Sequence, residues 1–539
     1  MTIGPTDEAL GSVPRHDGAE LEPSSMPPVT ILYRRADEER HELRAAPDFF
    51  RDLHLDAIVA AAIAGREEYD LPPFFQTALR DPDAITYRQE VMRDLEKAGI
   101  RRAVDAFAGR MRVTRQHLSS EEKAYYAREK ERWRLAAAES FAEAAEQLAR
   151  DLAANEPSSP GLRAFQRALD AYLASETFRA VASEARDVAR RLDEVRYSLL
   201  IRAGSVRVNH YEGEPDYSAA VEETFHKFAE GMTSDLRLEP DQGLGLNHVD
   251  AEILNRVALL NPEAFEALAR FSVRWRSFID PLVAGFDREA QFYLAWLDFV
   301  GRFRQAGLPI CYPRLTTDRA GIGCRETYDL ALGAQLLGET AAHDLTIVPN
   351  DFELRGKERV LVVTGPNQGG KTTFARTFGQ LHHLARLGCS VAGREARLFV
   401  CDDLFAHFER EEDIANLHGK LEDDLIRVRA ILDRATPASV VIMNEIFSST
   451  TVEDALYLAR EVLCRILDLD LLCVCVTFLD ELAALSEKTV SLVAGVDPQA
   501  PASRTYKLER KPANGLAYAL ALADKHRLTY DQLKERVRR

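Results

Sequence analysis

From about residue 47 to residue 196, apolar positions recur at three- and four-residue steps within long segments rich in Ala, Leu, Arg and Glu, the periodicity of helices that bury one face. The run NEPSSPG at Asn155 to Gly161 interrupts them. The stretch YSLLIRAGSVRVNHY at 197–211 then changes period. β-Branched residues flank Gly204 and Ser205, which predicts a short hairpin turning there. Helical spacing returns from about Val249 to Ala306. After Pro313, short apolar runs (LTIVPNDFEL, RVLVVTG, ARLFVCDD, SVVIMNEI, LLCVCVTF, TVSLVAG) alternate with helical stretches, which is the pattern of an α/β sheet. The chain is therefore expected to comprise a disordered tail over 1–30, a helical module over 31–312 with its hairpin near 197–211, and an α/β module over 313–539. No internal repeat is visible.

A chain of 539 residues exceeds what one core usually organises, and 46% hydrophobic with 29% charged residues is ordinary for a globular protein. The formal net charge of -17 argues against wholesale nonspecific binding to nucleic acid, because that binding depends on Lys and Arg displacing counterions. One local basic run, from Arg190 to His210, holds Arg190, Arg191, Arg196, Arg202 and Arg207. It reads equally as a basic surface or as a solvated helix end followed by the hairpin. The seven cysteines form no C-x-x-C pair and several lie in apolar runs, which fits a reducing cytoplasm. The first residues lack the basic start and apolar core of a signal peptide, and no apolar run is long enough to span a bilayer. A cytoplasmic location without a membrane partner is expected.

The strongest chemical signal is RVLVVTGPNQGGKTTFARTFGQL. Gly365 and Gly370-Lys371-Thr372 satisfy G-x-x-x-x-G-K-[ST] between an apolar strand and a helix, the context that this phosphate-binding motif requires. Glycines let backbone N–H groups close around phosphates, and the helix N-terminus adds positive potential. Lys371 reaches the β- and γ-phosphates, and Thr372 offers a hydroxyl to magnesium. Downstream, SVVIMNEI places Asn444 and Glu445 at the end of a buried strand, where Glu445 is the candidate general base. Among smaller candidates, His382-His383 read as structural, because adjacent helical residues point apart and no further ligand completes a metal set. Asp402-Asp403 read as a loop cap.

TGPNQGGKTTFARTF, GKLEDDLIRVRAILDRATPASVVIMNEIFSSTTVEDA and TYKLERKPANGLAYALALADKHRLTYDQL, in this order and spacing, resemble the ATPase domain of the MutS family of DNA mismatch-repair proteins. The resemblance is strong over about 340–535. It is weaker over Pro72 to Glu96 and over 250–306, which are similar to that family's helical core and lever. It implies a mainly α-helical core and lever module followed by an α/β P-loop, ABC-related ATPase domain with a C-terminal helical tail, which binds ATP and Mg2+. Carried over residue by residue, it assigns Gly365, Pro366, Asn367, Gln368, Gly369, Gly370, Lys371, Thr372 and Thr373 to the phosphates, Thr372 and Asn444 to magnesium, and Glu445 with Asn444 to hydrolysis. It also implies a homodimer in which a signature helix beginning near Gly419 and the loop with Ser449, Thr450, Thr451 and Asp454 face the partner's nucleotide.

Several residues depart from the family pattern. Gly419 stands where a serine is usual, and Lys420 follows it, either to contact the partner's γ-phosphate or to pair with Asp424. Phe478 replaces a histidine sensor, and the adenine-stacking position falls at Ile347. Asn444 replaces a carboxylate, so magnesium is expected to bind more weakly and hydrolysis to be slow, with Glu445 still in place. No Phe-x-Glu wedge motif precedes the P-loop. The resemblance then implies DNA binding, to duplex or branched DNA, through backbone charge and shape, in repair or recombination without reading a mispair. The alternative is a nucleotide-gated dimeric scaffold with a protein partner.

Overall fold

The computed structural model describes residues 29–34, 42–202, 205–215, 246–339, 347–409, 419–497, 500–513, 528–530 and 533–534. Most of the expected N-terminal tail, and most of the sequence expected to form a C-terminal helical tail, lie outside these residues. The tail's last residue does not. Thr30 is buried and donates its hydroxyl to Glu289 at 2.7 Å, so the packed chain starts before residue 31.

The helical module comprises α1 (Phe49–Asp52), α2 (Leu55–Ile63), α3 (Pro72–Gln76), α4 (Pro82–Leu95), α5 (Ala98–Lys123), α6 (Ala127–Asn155), α7 (Pro160–Ala174) and α8 (Glu176–Asp193), then the hairpin β1 (Tyr197–Arg202) and β2 (Ser205–His210), then α9 (His248–Leu260), α10 (Pro262–Arg274) and α11 (Pro281–Gln305). Three of these helices start at a capping residue followed by proline. Asp81, Ser159 and Asp280 each accept a hydrogen bond from a backbone N–H of the first turn, and Pro82, Pro160 and Pro281 give up a donor that would have had no partner there. The long α5 and α6 lie against each other along small residues at helical spacing. Ala103 and Ala108 on α5, with Ala138, Ala142 and Ala145 on α6, are all buried. The hairpin pairs Tyr197 with His210 through to Arg202 with Ser205, and its turn lies outside the described residues.

The α/β module follows with β3 (Ile310–Cys311), β4 (Arg314–Thr316), β5 (Ile322–Thr327), α12 (Leu330–Glu339), β6 (Asn350–Leu354), β7 (Val360–Thr364), α13 (Lys371–Arg386), β8 (Val391–Ala392), β9 (Glu395–Phe399), β10 (Leu404–Phe408), α14 (Lys420–Arg434), β11 (Val440–Asn444), α15 (Val452–Asp468), β12 (Leu472–Val476), β13 (Thr489–Asp497) and β14 (Ala500–Arg510). Its main sheet has the order β10-β11-β12-β7-β13-β14, parallel except for the last pair. Strands β7, β11 and β12 are buried at every residue, which is why they read as unbroken apolar runs. A four-stranded sheet, β4-β9-β5-β6, lies beside it. Residues 500–510 form the edge strand β14, paired antiparallel to β13.

The two modules share one core. A single buried cluster runs from Ile31 to Leu508, while a second, containing Val441, Met443, Cys473 and Cys475, packs α15 against the other face of the sheet. Helix α13 lies in the first cluster, against the helical module. Gln380 Nε2 donates to Leu53 O at 2.9 Å and His383 Nε2 to Phe75 O at 2.8 Å. Leu79 N donates to Arg386 O at 3.0 Å, and Trp296 Nε1 on α11 to Ser390 O at 3.2 Å. The change of pattern near residue 313 therefore marks a change of architecture without an open linker. Among the described residues no helix is long and apolar enough to cross a membrane.

Candidate functional site

Strand β7 ends at Thr364, and the next six residues turn sharply into α13. Gly365 and Gly370 adopt φ of 116° and 89°, conformations that a side chain resists, and Gln368 sits at 60°. The loop also presses on β13. A Cβ on Gly369 would stand 2.9 Å from both Ala494 Cβ and Pro366 O. Lys371 is 4% exposed and curls back under the loop, where Nζ donates to Gly365 O at 2.9 Å, Pro366 O at 3.2 Å and Asn367 Oδ1 at 3.3 Å. Burial pushes its pKa down, the Glu445 carboxylate opposes that shift, and the Arg504 guanidinium adds to it.

The parallel register Val363, Val476, Asn444 brings the carboxyl ends of β7, β12 and β11 to one edge, where open α/β sheets bind their ligands. There Thr372 Oγ1 donates to Asn444 Oδ1 at 3.0 Å. The next residue, Glu445, turns left-handed at φ 53° while its N–H donates to Val476 O at 2.9 Å. A cleft of about 470 Å³ opens over the loop, and Asn367 through Thr373 line it together with Glu445, Ile347 and Tyr506. Gly365 and Pro366 are not in its lining, and their carbonyls hold Lys371. The motif residues and Glu445 thus converge on one cleft, and Asn444 reaches it through Thr372.

The other residues singled out from the sequence are not in the lining of this cleft. Gly419 caps α14 without a side chain, and Lys420 pairs with Glu409, which also accepts Ser448 Oγ at 3.0 Å. The expected pairing of Lys420 with Asp424 is replaced: Asp424 is buried with Oδ1 3.2 Å from His407 Nε2. Thr451 caps α15, with Oγ1 accepting from Asp454 N at 3.2 Å and donating to Asp454 Oδ2 at 2.8 Å. Thr450 Oγ1 reaches the same carboxylate at 3.5 Å, and Ser449 is exposed. Asp402 accepts from Ser439 and Thr436 and holds the turn before β11. Of the basic run, Arg190 and Arg191 both pair with Asp187.

Two residues beside the loop escape a sequence reading, and of these Tyr506 lines the cleft. Arg504 on β14 donates Nε to Asn367 O at 3.2 Å. Tyr506 is half exposed with φ 56°, and its carbonyl accepts from Asn350 Nδ2 at 3.0 Å. The alternation in RTYKLER is a strand signal, but only the antiparallel return of β14 shows that it passes over the loop.

Residues 361–517 match the family described as MutS domain V. Over this part of its length the chain is similar to the MutS family. Proteins named DNA mismatch repair protein MutS are similar to it. That of Syntrophomonas wolfei is 36% identical over 125 residues, covering 23% of this chain and 15% of the relative. That of Caldicellulosiruptor saccharolyticus is 36% identical over 117 residues, covering 22% and 14%. That of Orientia tsutsugamushi is 29% identical over 193 residues, covering 34% and 20%. The chain thus spans no more than a fifth of the length of these MutS relatives. Lys371, Asn444, Glu445, Arg504 and Tyr506 all fall inside the MutS domain V segment, and α1 through α12 fall outside it.

Proposed function

We propose that this chain is a MutS-like ATP-binding protein with slow ATP hydrolysis, acting as a dimer on duplex or branched DNA in repair or recombination, and touching DNA through its backbone. The observation that carries the nucleotide reading is the loop itself. Among the described residues Lys371 is a buried cation held by carbonyl oxygens of its own loop, and phosphate oxygens are the stronger partner for it. The helix behind it points its N-terminus into the same cleft, which favours negative charge. Glu445 then stands where it can orient water toward a terminal phosphate.

The donor set fits a magnesium ion held mainly by the nucleotide's own phosphates. Thr372 Oγ1 and Asn444 Oδ1 offer two neutral oxygens, and magnesium at such a site would neutralise charge developing on the transferred phosphoryl group. Thr372 and Asn444 orient each other, and Glu445 accepts the proton of the attacking water.

One observation favours the second reading, a nucleotide-gated scaffold for a protein partner. The hairpin exposes Leu199, Ile201 and Val206 on a single face, with Ile201 72% exposed. Lys371→Ala is expected to abolish measurable ATP binding in calorimetry with an unchanged circular dichroism spectrum. Affinity equal to that of the natural sequence would overturn the nucleotide reading.

A further inference from the structure

We infer that the exposed face of the small sheet β4-β9-β5-β6 is a docking surface for the phosphate backbone of duplex nucleic acid, separate from the cleft over the Gly365–Gly370 loop. The inference rests on the DNA reading above and assigns a surface to it.

That reading needs a positive surface on a chain whose formal net charge is -17. The basic run after Arg190 supplies little of it, since Arg190 and Arg191 share the Asp187 carboxylate. The fold assembles positive charge elsewhere, from residues far apart in sequence. One face of the small sheet packs inward through Ile322, Cys324, Phe352, Leu354 and Leu398. The exposed face borders a concavity of about 810 Å³, larger than the cleft over the loop. Across it the strands place one arginine each, with Arg314 on β4, Arg397 on β9, Arg325 on β5, Arg355 just after β6 and Arg510 on β14. Strand β14 lies beside β6, where Leu508 N donates to Asn350 Oδ1 at 2.8 Å. With Arg394, six guanidinium groups line the concavity against the three carboxylates of Asp351, Glu353 and Glu395, an excess of three positive charges.

Arg314 and Arg397 are direct cross-strand partners, and among the described residues neither has an ion pair or a side-chain hydrogen bond. Like charges set opposite each other in a sheet repel, and an anion laid over both removes that cost. Gly321, at φ 70°, leaves room for the fork of Arg397, whose Nη1 lies 3.2 Å from where a Cβ on Gly321 would stand. Arg325 faces Glu395 in register. The remaining arginines are steadied by carboxylates, Arg394 by Glu326, Arg510 by Glu358 and Arg355 by Glu353, whose Oε2 accepts Nε at 2.9 Å and Nη2 at 2.6 Å. The bond to Arg355 is the first cause that holds the Glu353 carboxyl below its ordinary value, and the charges of Arg510 and Arg325 add to it.

Neighbouring strands lie about 4.8 Å apart, so the array runs for roughly 14 Å from β4 to β6. One strand of B-form DNA brings a charge about every 3.4 Å of its axis, and about four phosphates fall within that length. Arginine forks match phosphate oxygens two at a time. A step of one guanidinium per strand suits an evenly charged polymer better than an acidic protein, whose carboxylates have no fixed repeat. Nothing on this surface is free to stack a base. Phe352 is buried, and Tyr312 carries the Arg93 guanidinium over its ring at 4.4 Å. Charge without an open aromatic face fits a duplex, whose bases are paired inside, in preference to a single strand.

The test is fluorescence anisotropy of the full chain with a short labelled homoduplex over a salt series. Arg314→Ala with Arg397→Ala should weaken binding about tenfold or more at low salt and lower the slope of log affinity against log salt by about two. Arg314→Lys with Arg397→Lys should recover most of that slope, and thermal melts of both variants should match the natural sequence, since neither side chain has a partner to lose. Arg110→Ala with Arg132→Ala makes the same change of charge on α5 and α6 and should leave the affinity within about twofold. A duplex held equally by the natural sequence and the Arg314→Ala, Arg397→Ala variant overturns this surface and leaves the DNA reading standing. A loss shared by the α5 and α6 variant does the same, because the effect is then one of total charge. Displacement of the duplex by poly-L-glutamate or tripolyphosphate at equal charge also overturns it, in favour of an acidic protein or a small polyanion. No binding of duplex at low salt overturns both.

Discussion

Glu445 combines the position of the proposed base with a strained backbone. Its φ of 53° lies where few residues without a glycine's freedom settle, and Phe447 two residues on repeats it at 60°. The conformation is fixed by the Glu445 N–H bond to Val476 and turns the carboxylate out of the sheet toward the cleft. Glu445→Gln keeps the shape and removes the proposed base. Hydrolysis should fall by roughly 100-fold or more while ATP affinity stays within about twofold, and a steady-state ATPase assay beside calorimetry reads both. Asn444→Asp makes the opposite change, adding charge where Thr372 Oγ1 now donates at 3.0 Å. The magnesium concentration for half-maximal ATPase activity should fall severalfold, and an unchanged midpoint in a folded variant would remove Asn444 from metal placement. These residues could be read from the sequence because a phosphate loop and a strand-end acid are local patterns. Arg504 could not, since its contact with Asn367 spans 137 positions and depends on how β14 returns.

Among the elements, legibility follows burial. Strands β7, β11 and β12, covered on both faces, leave continuous apolar runs that stand out. The edge strands β10 and β14 mix polar and apolar residues and do not: β10 contains His407, and β14 ends in YKLER. Helix α13, which follows the Gly365–Gly370 loop, carries the adjacent His382 and His383, each fully enclosed. Burial lowers their pKa values from 6.5 to about 4 and about 3. Protons that the unfolded chain binds are thus refused by the folded one, so stability is complete above pH 6.5 and declines as pH falls from there toward 4. Each ring accounts for about 2 kcal/mol by pH 5. Asp287 works the other way, because burial raises its carboxyl to about 6 against the pull of Arg115, and that penalty is relieved on acidification. Among the described residues His382 bonds a carbonyl of its own helix, Phe378 O, at 2.8 Å, and His382→Leu should flatten the fall of melting temperature between pH 7 and pH 5. Parallel melting curves for the two proteins would show that this ring carries no acid penalty.

At the scale of the whole molecule, the pattern change near residue 313 was legible and the continuity of the core across it was not, because hydrophobic periodicity shows which face of an element is buried and not against what. Trp296 shows the difference. It is fully buried on α11 in the helical module, yet its indole N–H bonds Ser390 of the α/β module. Trp296→Ala should cost roughly 3–5 kcal/mol and lower one common melting transition. Two separated endotherms in the natural protein would contradict a shared core. Assembly belongs to this scale too. Val452 and Phe478 are 63% and 47% exposed at the sheet edge that carries Glu445. Glu445→Gln with ATP should accumulate a dimer in light scattering, since a ligand enclosed between two copies shifts that equilibrium by mass action. The same mass with and without ATP would reject a composite site.

The seating of α13 against the first helices also sets a timetable for synthesis. Phe49, Phe50 and Phe75 near the N-terminus pack around His383, and Gln380 closes on Leu53 across 327 positions. A ribosome adding roughly 5–20 residues each second needs about 15 to 60 s to reach α13 after these phenylalanines emerge. During that interval the aromatic shelf faces water or a chaperone, and the growing chain is more exposed to aggregation than the finished protein, whose phosphate loop arrives on the helix that covers it.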